Sequence, residues 1–300
     1  MVPTAVPLAN AQSQQNCGMT FSIVGRSADG AEMGVALASK FLAAGAYVPA
    51  AAAGAGALAT QAYCNLELRT RGLEMLTEGL PAAGVLDEFF ASDPQRAERQ
   101  AGVVDAQGGT ATFTGERCQP WAGGVARADP AGAFAAQGNM LAGAQVVDAM
   151  VEAWLAGHGE LPVARRLVAA LRAGQDAGGD PRGKQAAAVL VVSPGAGYGG
   201  MSDVVVDLRS DDSPEPIGDL ERMLDLHDLY FGTTPDEDLL PLEGPLLDEL
   251  AARLAAIGYR SGDVGRDLYD WMGRENFEER WHDGKVDPVV LDQLRRATTL

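Results

Sequence analysis

The chain has 300 residues, of which 47% are apolar and 21% carry a charge, so it is long enough to bury a sizeable core. Its 23 basic and 41 acidic residues give a net charge of −18, which argues against nucleic acid and anionic membrane surfaces as partners, because both need a basic protein surface. No apolar run is long enough to predict a membrane-spanning helix.

Residues 1–19 are expected to form a leader that is either disordered or removed. The segment has no basic n-region, and Pro3 and Pro7 interrupt its apolar part. A small-residue stretch at 9–11 resembles a signal-peptide cleavage site, so an exported form stays open beside the cytoplasmic localisation that we expect. A true start at Met19 is a simpler interpretation, and it makes Thr20 the next residue.

Strand and helix patterns follow one another in pairs from residue 20 to residue 231. The sequence predicts strands at 20–26, 33–39, 54–63, 100–106, 110–115, 121–128, 132–137, 186–193 and 204–208, and helices at 66–80, 81–91, 145–156, 162–173 and 215–230. Paired helices argue against a doubly wound parallel sheet. They favour an α+β fold with antiparallel sheets and helix pairs on the outer faces, for which a four-layer αββα sandwich is one solution.

The C-terminal part differs from the rest in charge. Residues 203–300 hold 24 acids and 10 bases, whereas residues 1–202 hold 17 and 13, so a boundary is expected between Asp203 and Pro245. Helices predicted at 244–257, 262–272 and 288–297 make residues 240–300 a small helical unit. Its aromatic residues Trp271, Phe277 and Trp281 form either a sugar-stacking surface or, as is more common, a core.

Thr20 is the strongest candidate for a catalytic nucleophile. As an N-terminal residue it would carry an α-amine with a pKa of about 7.7–8.0, which is a base near neutral pH for its own hydroxyl. The chain has only three histidines, so a nucleophile that needs no imidazole fits its composition. The alternative is that Thr20 is an ordinary strand residue, where threonine is favoured.

Lys40 and Asn139 are the other candidate catalytic residues. Lys40 follows the second strand, and a buried ammonium there would lower the pKa of the α-amine; the alternative is a surface lysine. Gln137 and Asn139 flank Gly138 between a strand and a helix, where an amide serves an oxyanion hole or merely caps the turn.

Gln137 and five further polar residues are candidates for substrate binding. Thr60 and Gln61 lie in a strand of small residues and line the same pocket or simply bond to a neighbouring strand. Asp180, Arg182 and Lys184 share a glycine-rich loop that binds a substrate carboxylate or pairs within itself. The three widely spaced cysteines predict neither a disulfide framework nor a zinc site, and no metal or cofactor is expected.

Several motifs together resemble the bacterial family known as domain of unknown function 1028. They are MTFSIVGR at 19–26, GVALASKFLAAGAYVP at 34–49, GAGALATQAYCN at 54–65, AAQGNML at 135–141 and GGDPRGKQAAAVLVV at 178–192. The resemblance implies the αββα fold of the N-terminal-nucleophile (Ntn) hydrolases for residues 20–231. Residues 240–300, which end in DLYDWMGRENFEERWHDGKVDPVVLDQLRR and four further residues, resemble the peptidoglycan-binding segment that often accompanies this family.

Two hypotheses of function follow. The first is an Ntn-type hydrolase of a small amide or peptide-like substrate. The second is a non-catalytic scaffold that binds a ligand or, through residues 240–300, a fragment of the cell wall. A homodimer is compatible with either hypothesis.

Overall fold

A computed structural model describes residues 20–298, so the predicted leader at 1–19 lies outside the described residues. The elements before residue 232 are, in chain order, β1 (Thr20–Arg26), β2 (Met33–Ser39), β3 (Pro49–Ala52), β4 (Gly56–Ala62), α1 (Leu66–Thr77), α2 (Ala82–Ala91), β5 (Arg99–Asp105), β6 (Thr110–Thr114), β7 (Gly123–Arg127), β8 (Phe134–Asn139), α3 (Gln145–Ala156), α4 (Val163–Asp176), β9 (Ala186–Val192), β10 (Val204–Ser210) and α5 (Pro216–Phe231). No helix within residues 20–298 combines the length and apolar character needed to cross a bilayer.

These strands form two antiparallel sheets. The larger sheet has six strands in the order β10-β9-β2-β1-β8-β7, and the smaller has four in the order β3-β4-β5-β6. β1 is therefore a central strand, bonded to β2 on one side and to β8 on the other. The prediction of antiparallel sheets is confirmed, and the antiparallel pairing of β4 with β5 excludes a βαβ crossover between them.

One pair of helices covers each sheet. α1 and α2 pack on the four-stranded sheet, α3 and α4 pack on the six-stranded sheet, and the two sheets contact each other through their remaining faces. Small and branched side chains fill the space between the sheets, among them Val24, Val35, Leu37, Ala57, Ala59 and Val104. On the outer face of β1, Gly25 leaves room for the ring of Trp154, since a Cβ there would lie 2.4 Å from Cη2 of that ring.

Asp105 ties the β5–β6 hairpin to the start of α2. Its Oδ1 accepts hydrogen bonds from the backbone N–H groups of Gln107 (3.0 Å) and Gly109 (2.7 Å), and its Oδ2 accepts one from Ala82 (2.9 Å). The last bond satisfies an N–H at the helix N-terminus, where the carboxylate also complements the helix dipole. A single buried side chain therefore fixes both the turn and the position of the helix.

The described chain divides into two compact units between Glu221 and Arg222. The second unit contains β11 (Leu240–Pro241), α6 (Gly244–Ala256), α7 (Val264–Arg274), β12 (Lys285–Val286) and α8 (Pro288–Ala297). The helical C-terminal region is therefore confirmed. Its core includes Trp271 and Phe277, which are 3% and 5% exposed, so these two aromatic residues do not form the sugar-stacking surface considered for them.

Two features of the first unit differ from the sequence prediction. β3 was not predicted, because its four residues become a strand only by pairing with β4. β8 was expected to end at Gln137 but continues to Asn139, because Gly138 and Asn139 pair with Phe21 and Thr20 of β1. Asn139 is therefore a strand residue beside Thr20 and not a helix cap.

Candidate active site

Thr20 lies at the head of a central strand and is only 4% exposed. Its neighbours across β1 are Ser39 on β2 and Asn139 on β8, which lie directly opposite it in the two registers. The hydroxyl oxygens of Thr20 and Ser39 are 3.1 Å apart, within hydrogen-bonding distance. The Thr20 hydroxyl is thus held by a second hydroxyl, in a place where the surrounding backbone is fixed by strand pairing.

Gln61 connects Thr20 to the opposite sheet. Its Nε2 donates to the backbone carbonyl of Thr20 (3.1 Å) and to Oε1 of Gln100 (2.8 Å), and its Oε1 accepts from the hydroxyl of Ser22 (2.6 Å). Gln61 is 1% exposed and Gln100 and Ser22 are fully buried. Buried polar groups with complete hydrogen bonding give a network one well-defined geometry.

Gln100 is the centre of this network. Its Oε1 also accepts from Nδ2 of Asn139 (2.9 Å), while its Nε2 donates to the hydroxyl of Thr114 (3.0 Å) and to the carbonyl of Gly138 (2.8 Å). One buried amide therefore joins β4, β5, β6 and β8 next to Thr20.

Asn139 has one polar atom without a partner. Nδ2 is engaged by Gln100 and lies 3.4 Å from the carbonyl of Thr20, but Oδ1 is buried and has no hydrogen-bond partner among residues 20–298. An unsatisfied buried acceptor is uncommon in folded proteins and needs an explanation. The Oδ1 atom can accept a hydrogen bond from a further group, whereas an oxyanion hole requires N–H donors.

Gln137 extends the network away from Thr20. Its Nε2 donates to the hydroxyl of Ser22 (2.7 Å), and its Oε1 accepts from the hydroxyl of Thr112 (3.4 Å). Gly102 makes room for this amide, because a Cβ there would lie 2.1 Å from Oε1 of Gln137. Gln137 is therefore internal, and within the described residues it supports the site from behind.

A cavity of about 260 Å³ opens beside Thr20. None of its lining residues carries a carboxylate, an imidazole, an ammonium or a guanidinium group: Thr20, Phe41, Ala44, Tyr47, Val48, Gln61, Ala62, Tyr63, Cys64 and Leu66. Uncharged polar groups come from Thr20, Gln61, Tyr47, Tyr63 and Cys64, and the other lining residues are apolar. Of the predicted site residues, the structure brings Thr20, Gln61, Gln137 and Asn139 together here.

Left-handed backbone conformations cluster around this cavity. Four non-glycine residues between 20 and 298 have φ in the left-handed region, and three of them belong to this region: Ala43 (53°), Ala62 (63°) and Met140 (54°). Ala62 lines the cavity, Ala43 precedes a lining residue and Met140 follows Asn139. Such conformations cost about 1–3 kcal/mol each and often concentrate at functional sites.

Two arginines hold the loops around the cavity. Arg69 donates to the carbonyls of Ala46 (2.7 Å) and Pro49 (3.0 Å), and Arg99 donates to the carbonyl of Tyr63 (2.6 Å). Arg99 also forms a buried ion pair with Asp93, whose carboxylate lies 2.9 Å from Nε. Burial acts to raise the pKa of Asp93, but hydrogen bonds from Arg99, the Gln95 N–H and Asn65 outweigh it and keep that pKa low.

Cys64 lines the cavity but is not activated as a nucleophile. Its thiol donates to the carbonyl of Thr60 (3.3 Å), and burial raises its pKa above the ordinary value against smaller opposing effects from Thr60, Arg69 and Arg99. A thiol with a raised pKa is protonated at neutral pH, and the thiolate is the reactive form. Thr60 itself shapes the loop, since its hydroxyl accepts from the Asn65 N–H (3.3 Å).

The four charged residues among the predicted site residues do not line the cavity. Lys40 is exposed, and its Nζ donates to the carbonyl of Lys184 (3.1 Å), which fits the alternative of a surface lysine. Asp180 pairs with Arg182 (3.1 Å), and Lys184 pairs with Glu215 (2.6 Å). These charges have partners of their own, and the roles predicted for them in catalysis and binding stay predictions.

Three residues of the site were not predicted from the sequence, namely Ser22, Ser39 and Gln100. All three are polar residues of strands, and each is at most 3% exposed. The available signal was their position, because Ser22 is two residues from Thr20 and Gln100 begins a predicted strand. Within residues 20–298, no group of three or more His, Cys, Asp or Glu side chains is arranged to hold a metal ion.

The second unit has a candidate binding site of its own. A cavity of about 420 Å³ is bounded by Tyr269 and Trp281, whose rings meet edge to face with centroids 5.0 Å apart, and by Asp263, Arg266 and Asp283. Tyr269 is 53% exposed. Exposed aromatic rings beside charged groups offer apolar faces and hydrogen-bonding groups to the same ligand.

A buried ion pair fixes one side of the second unit. Arg280 and Asp287 lie 2.6 Å apart and are almost fully buried. Asp287 also accepts from the Val289 N–H (2.8 Å) at the start of α8, and the guanidinium of Arg280 donates to the carbonyls of Leu229 and Asp228. Arg280 is therefore a structural residue and is not available to a ligand.

Comparison with known families agrees with the motifs described above. A model described as a family of unknown function, DUF1028, matches residues 20–220, and one described as "Putative peptidoglycan binding domain" matches residues 230–294. The resemblance to both is confirmed.

The chain is also similar to a protein of known structure. The chain is similar to the crystal structure of a DUF1028 protein from Silicibacter pomeroyi, with 33% identity, coverage of 73% of this chain and 88% of that chain, and a TM-score of 0.62. No curated protein matches the chain significantly.

Proposed function

The chain belongs to the DUF1028 family, and we propose that its first unit is an amide-bond hydrolase of the Ntn type with Thr20 as the nucleophile. One observation carries the proposal: the buried Thr20 hydroxyl borders a cavity whose lining residues offer no carboxylate, imidazole or lysine amine as a base. A hydroxyl nucleophile needs a base to take its proton. The α-amine of an N-terminal Thr20 supplies one within the same residue.

The layer order of the first unit supports this proposal. The α1–α2 pair, the four-stranded sheet, the six-stranded sheet and the α3–α4 pair follow one another as α, β, β and α. This is the order of the αββα sandwich of Ntn hydrolases. Fold alone does not assign an activity, and it is the surroundings of Thr20 that favour a hydrolase.

The proposed reaction has two steps. In the first, the α-amine takes the proton from Oγ1, Oγ1 attacks the amide carbonyl carbon, and the leaving amine departs with that proton. This leaves an ester between Thr20 and the acyl group. In the second step, water attacks the ester with the α-amine as base, and the carboxylic acid leaves as Thr20 regains its proton.

Ser39 and Asn139 have positioning roles in this scheme. The Ser39 hydroxyl, 3.1 Å from Oγ1, orients the nucleophile. Asn139 lies opposite Thr20 in the β1–β8 register, and its unsatisfied Oδ1 is an acceptor for an ammonium group. A free α-amine has additional N–H bonds that a peptide nitrogen lacks, so it would offer this acceptor a donor.

The test compares the 300-residue protein with a protein begun at Met19. Intact-mass analysis establishes which preparation carries Thr20 at its N-terminus, and both are assayed against a panel of acyl amides and cyclic amides. We expect turnover only with a free Thr20. Thr20→Ala should abolish it, Thr20→Ser should retain part of it, and Thr70→Ala, an exposed threonine of α1, should have no effect. Equal rates for Thr20→Ala and its parent would overturn the proposal.

The second unit supports a second proposed function, which is binding of a cell-wall fragment. The supporting observation is the cavity between Tyr269 and Trp281, together with the family match of residues 230–294. Apolar faces of sugar rings pack on aromatic rings, and Arg266 and two carboxylates at this cavity suit hydroxyl and amide groups.

Sedimentation with purified peptidoglycan tests this second function. We expect the protein to sediment with peptidoglycan, Tyr269→Ala to reduce the bound fraction at least fivefold, and Tyr198→Ala, a similarly exposed tyrosine of the first unit, to leave it unchanged. Cell fractionation supplements this test, because contact with the cell wall requires an exported form, whereas a cytoplasmic location fits an amide hydrolase acting alone.

A further inference from the structure

The cavity beside Thr20 has a chemical character that restricts the substrate. It contains about 260 Å³, slightly less than the roughly 300–1,000 Å³ of most small-molecule sites, so it suits one ring or a branched aliphatic group and not a length of peptide. Aromatic and aliphatic side chains form its walls and the lining has no ionised group.

We propose that this cavity is the acyl pocket of the enzyme and that it selects amides with an uncharged, apolar acyl group of about the size of phenylacetyl. The inference rests on the proposed function, because it is the nucleophilic role of Thr20 that makes the neighbouring cavity the acyl side. Thr20, as the nucleophile, meets the carbonyl end of the substrate, and the acyl group extends toward the aromatic and aliphatic part of the lining.

The mouth of the cavity exposes apolar surface that a ligand of this kind would cover. Phe41, Tyr47 and Leu66 are 47%, 42% and 49% exposed, and the rings of Phe41 and Tyr47 meet edge to face with centroids 6.1 Å apart. Contiguous exposed apolar residues at the opening of a cavity are characteristic of ligand-binding grooves.

The two arginines near the cavity do not supply a counter-charge to a substrate. Arg69 is committed to two backbone carbonyls, and Arg99 to Asp93 and Tyr63, so neither guanidinium is available as a partner for a substrate carboxylate. No lining residue has a carboxylate that could pair with a substrate ammonium. Anionic and cationic acyl groups are therefore both disfavoured by desolvation without a compensating partner.

The structure of the loops indicates that this pocket is preformed. Arg69 fixes the backbone at Ala46 and Pro49, and Arg99 fixes it at Tyr63, on the two segments that carry the aromatic walls. A pocket held by side chains that are themselves bonded needs little rearrangement on binding.

The experiment measures binding separately from turnover. A Thr20→Ala variant of the protein begun at Met19 is titrated calorimetrically with three 4-nitroanilides of matched size: phenylacetyl, 4-carboxyphenylacetyl and 4-(aminomethyl)phenylacetyl. We expect the uncharged compound to bind at least tenfold more tightly than either charged compound. Equal or tighter binding of either charged compound, or no binding of any, would overturn the inference.

A charge placed at the mouth gives a second test with its own control. Leu66→Lys should weaken binding of the phenylacetyl anilide at least tenfold, so that its affinity becomes similar to that of the carboxylate compound. Leu161→Lys, at an exposed leucine outside the cavity lining, should change neither affinity. Turnover by the parent protein decides the proposed function separately. Apolar-selective binding without any turnover would reject the hydrolase proposal and retain an apolar ligand pocket.

Discussion

The side-chain amide of Gln61 donates a 3.1 Å hydrogen bond to the backbone carbonyl of Thr20, although the two residues belong to different sheets. The head of β1 is therefore positioned by the interface between the sheets as well as by its own neighbours. Since Gln61 is in turn held by Gln100 and Ser22, the location of the Thr20 hydroxyl depends on residues that never contact the cavity.

The first prediction concerns Gln100. Gln100→Leu removes the acceptor shared by Gln61 and Asn139, so one N–H of each buried amide loses its partner while the bond to the Thr20 carbonyl remains. Each unsatisfied group costs about 1–3 kcal/mol, so the free energy of unfolding should fall by roughly 2–5 kcal/mol in urea denaturation. Gln107→Leu, at an exposed position of the β5–β6 turn, should change it by less than about 0.5 kcal/mol. Similar values for the two variants would show that the network does not stabilise the fold.

The second prediction concerns the ion pair behind the cavity. Asp93→Asn leaves the buried Arg99 guanidinium without its counter-charge, and removing one partner of such a pair destabilises proteins by about 3–5 kcal/mol. Because Arg99 also holds the carbonyl of Tyr63, hydrogen exchange should rise in the 63–65 segment at the cavity mouth. Asp87→Asn on the exposed face of α2 is the matched control. Unchanged hydrogen exchange at 63–65 would show that the Arg99–Asp93 ion pair does not stabilise this segment.

Hairpins and amphipathic helices of the first unit could be predicted because turn residues and apolar spacing are local signals. Gly30, for example, has a φ of 80° in the β1–β2 turn, which few other residues adopt readily. β3 could not be predicted, since its alanine-rich sequence gains strand structure only from pairing with β4. The boundaries proposed for the domains stay predictions, although the division after Glu221 lies close to them.

The site could be predicted only in part. Thr20, Gln61, Gln137 and Asn139 were identified from their local contexts, but their connection through Gln100 depends on which strands face each other. In a strand buried on both faces, such as β1 or β5, the alternation of apolar and polar residues disappears. The pattern then gives no indication that Ser22 and Gln100 point toward the opposite sheet. The sequence left the burial of Lys40 open for the related reason that burial at a strand end depends on the neighbouring loop.

The third prediction concerns acid stability of the second unit. Hydrogen bonds from Arg295 and then Arg253 lower the pKa of Glu249 from 4.5 to about 2. A carboxyl with a depressed folded-state pKa contributes stability above its unfolded pKa and loses that contribution as pH falls through the folded value. Hydrogen-exchange protection of α6 and α8, corrected for intrinsic rates, should therefore decrease between about pH 4.5 and 2. Glu249→Gln should remove this dependence and Glu243→Gln, which is exposed, should keep it. An identical pH response in the two variants would contradict the assignment.

The last prediction concerns the base in the proposed reaction. If the α-amine of Thr20 takes the proton from Oγ1, kcat/KM should rise with pH and level off above a midpoint of about 7.7–8.0, because only the unprotonated amine accepts a proton. A carboxylate base would place the midpoint near 4.

A protein with one glycine added before Thr20 keeps the hydroxyl but converts the amine into a peptide nitrogen, so its rate should fall by about 10²–10⁴. Its thermal unfolding should remain that of the parent, since Thr20 stays paired with Ser39 and Asn139 in the sheet. Lys40→Met should preserve the midpoint, because the Lys40 amine is exposed and bonded to the carbonyl of Lys184. A full rate in the glycine-extended protein would assign the base to another group, whereas a midpoint that moves in Lys40→Met would show that the Lys40 ammonium acts on the pKa of the base.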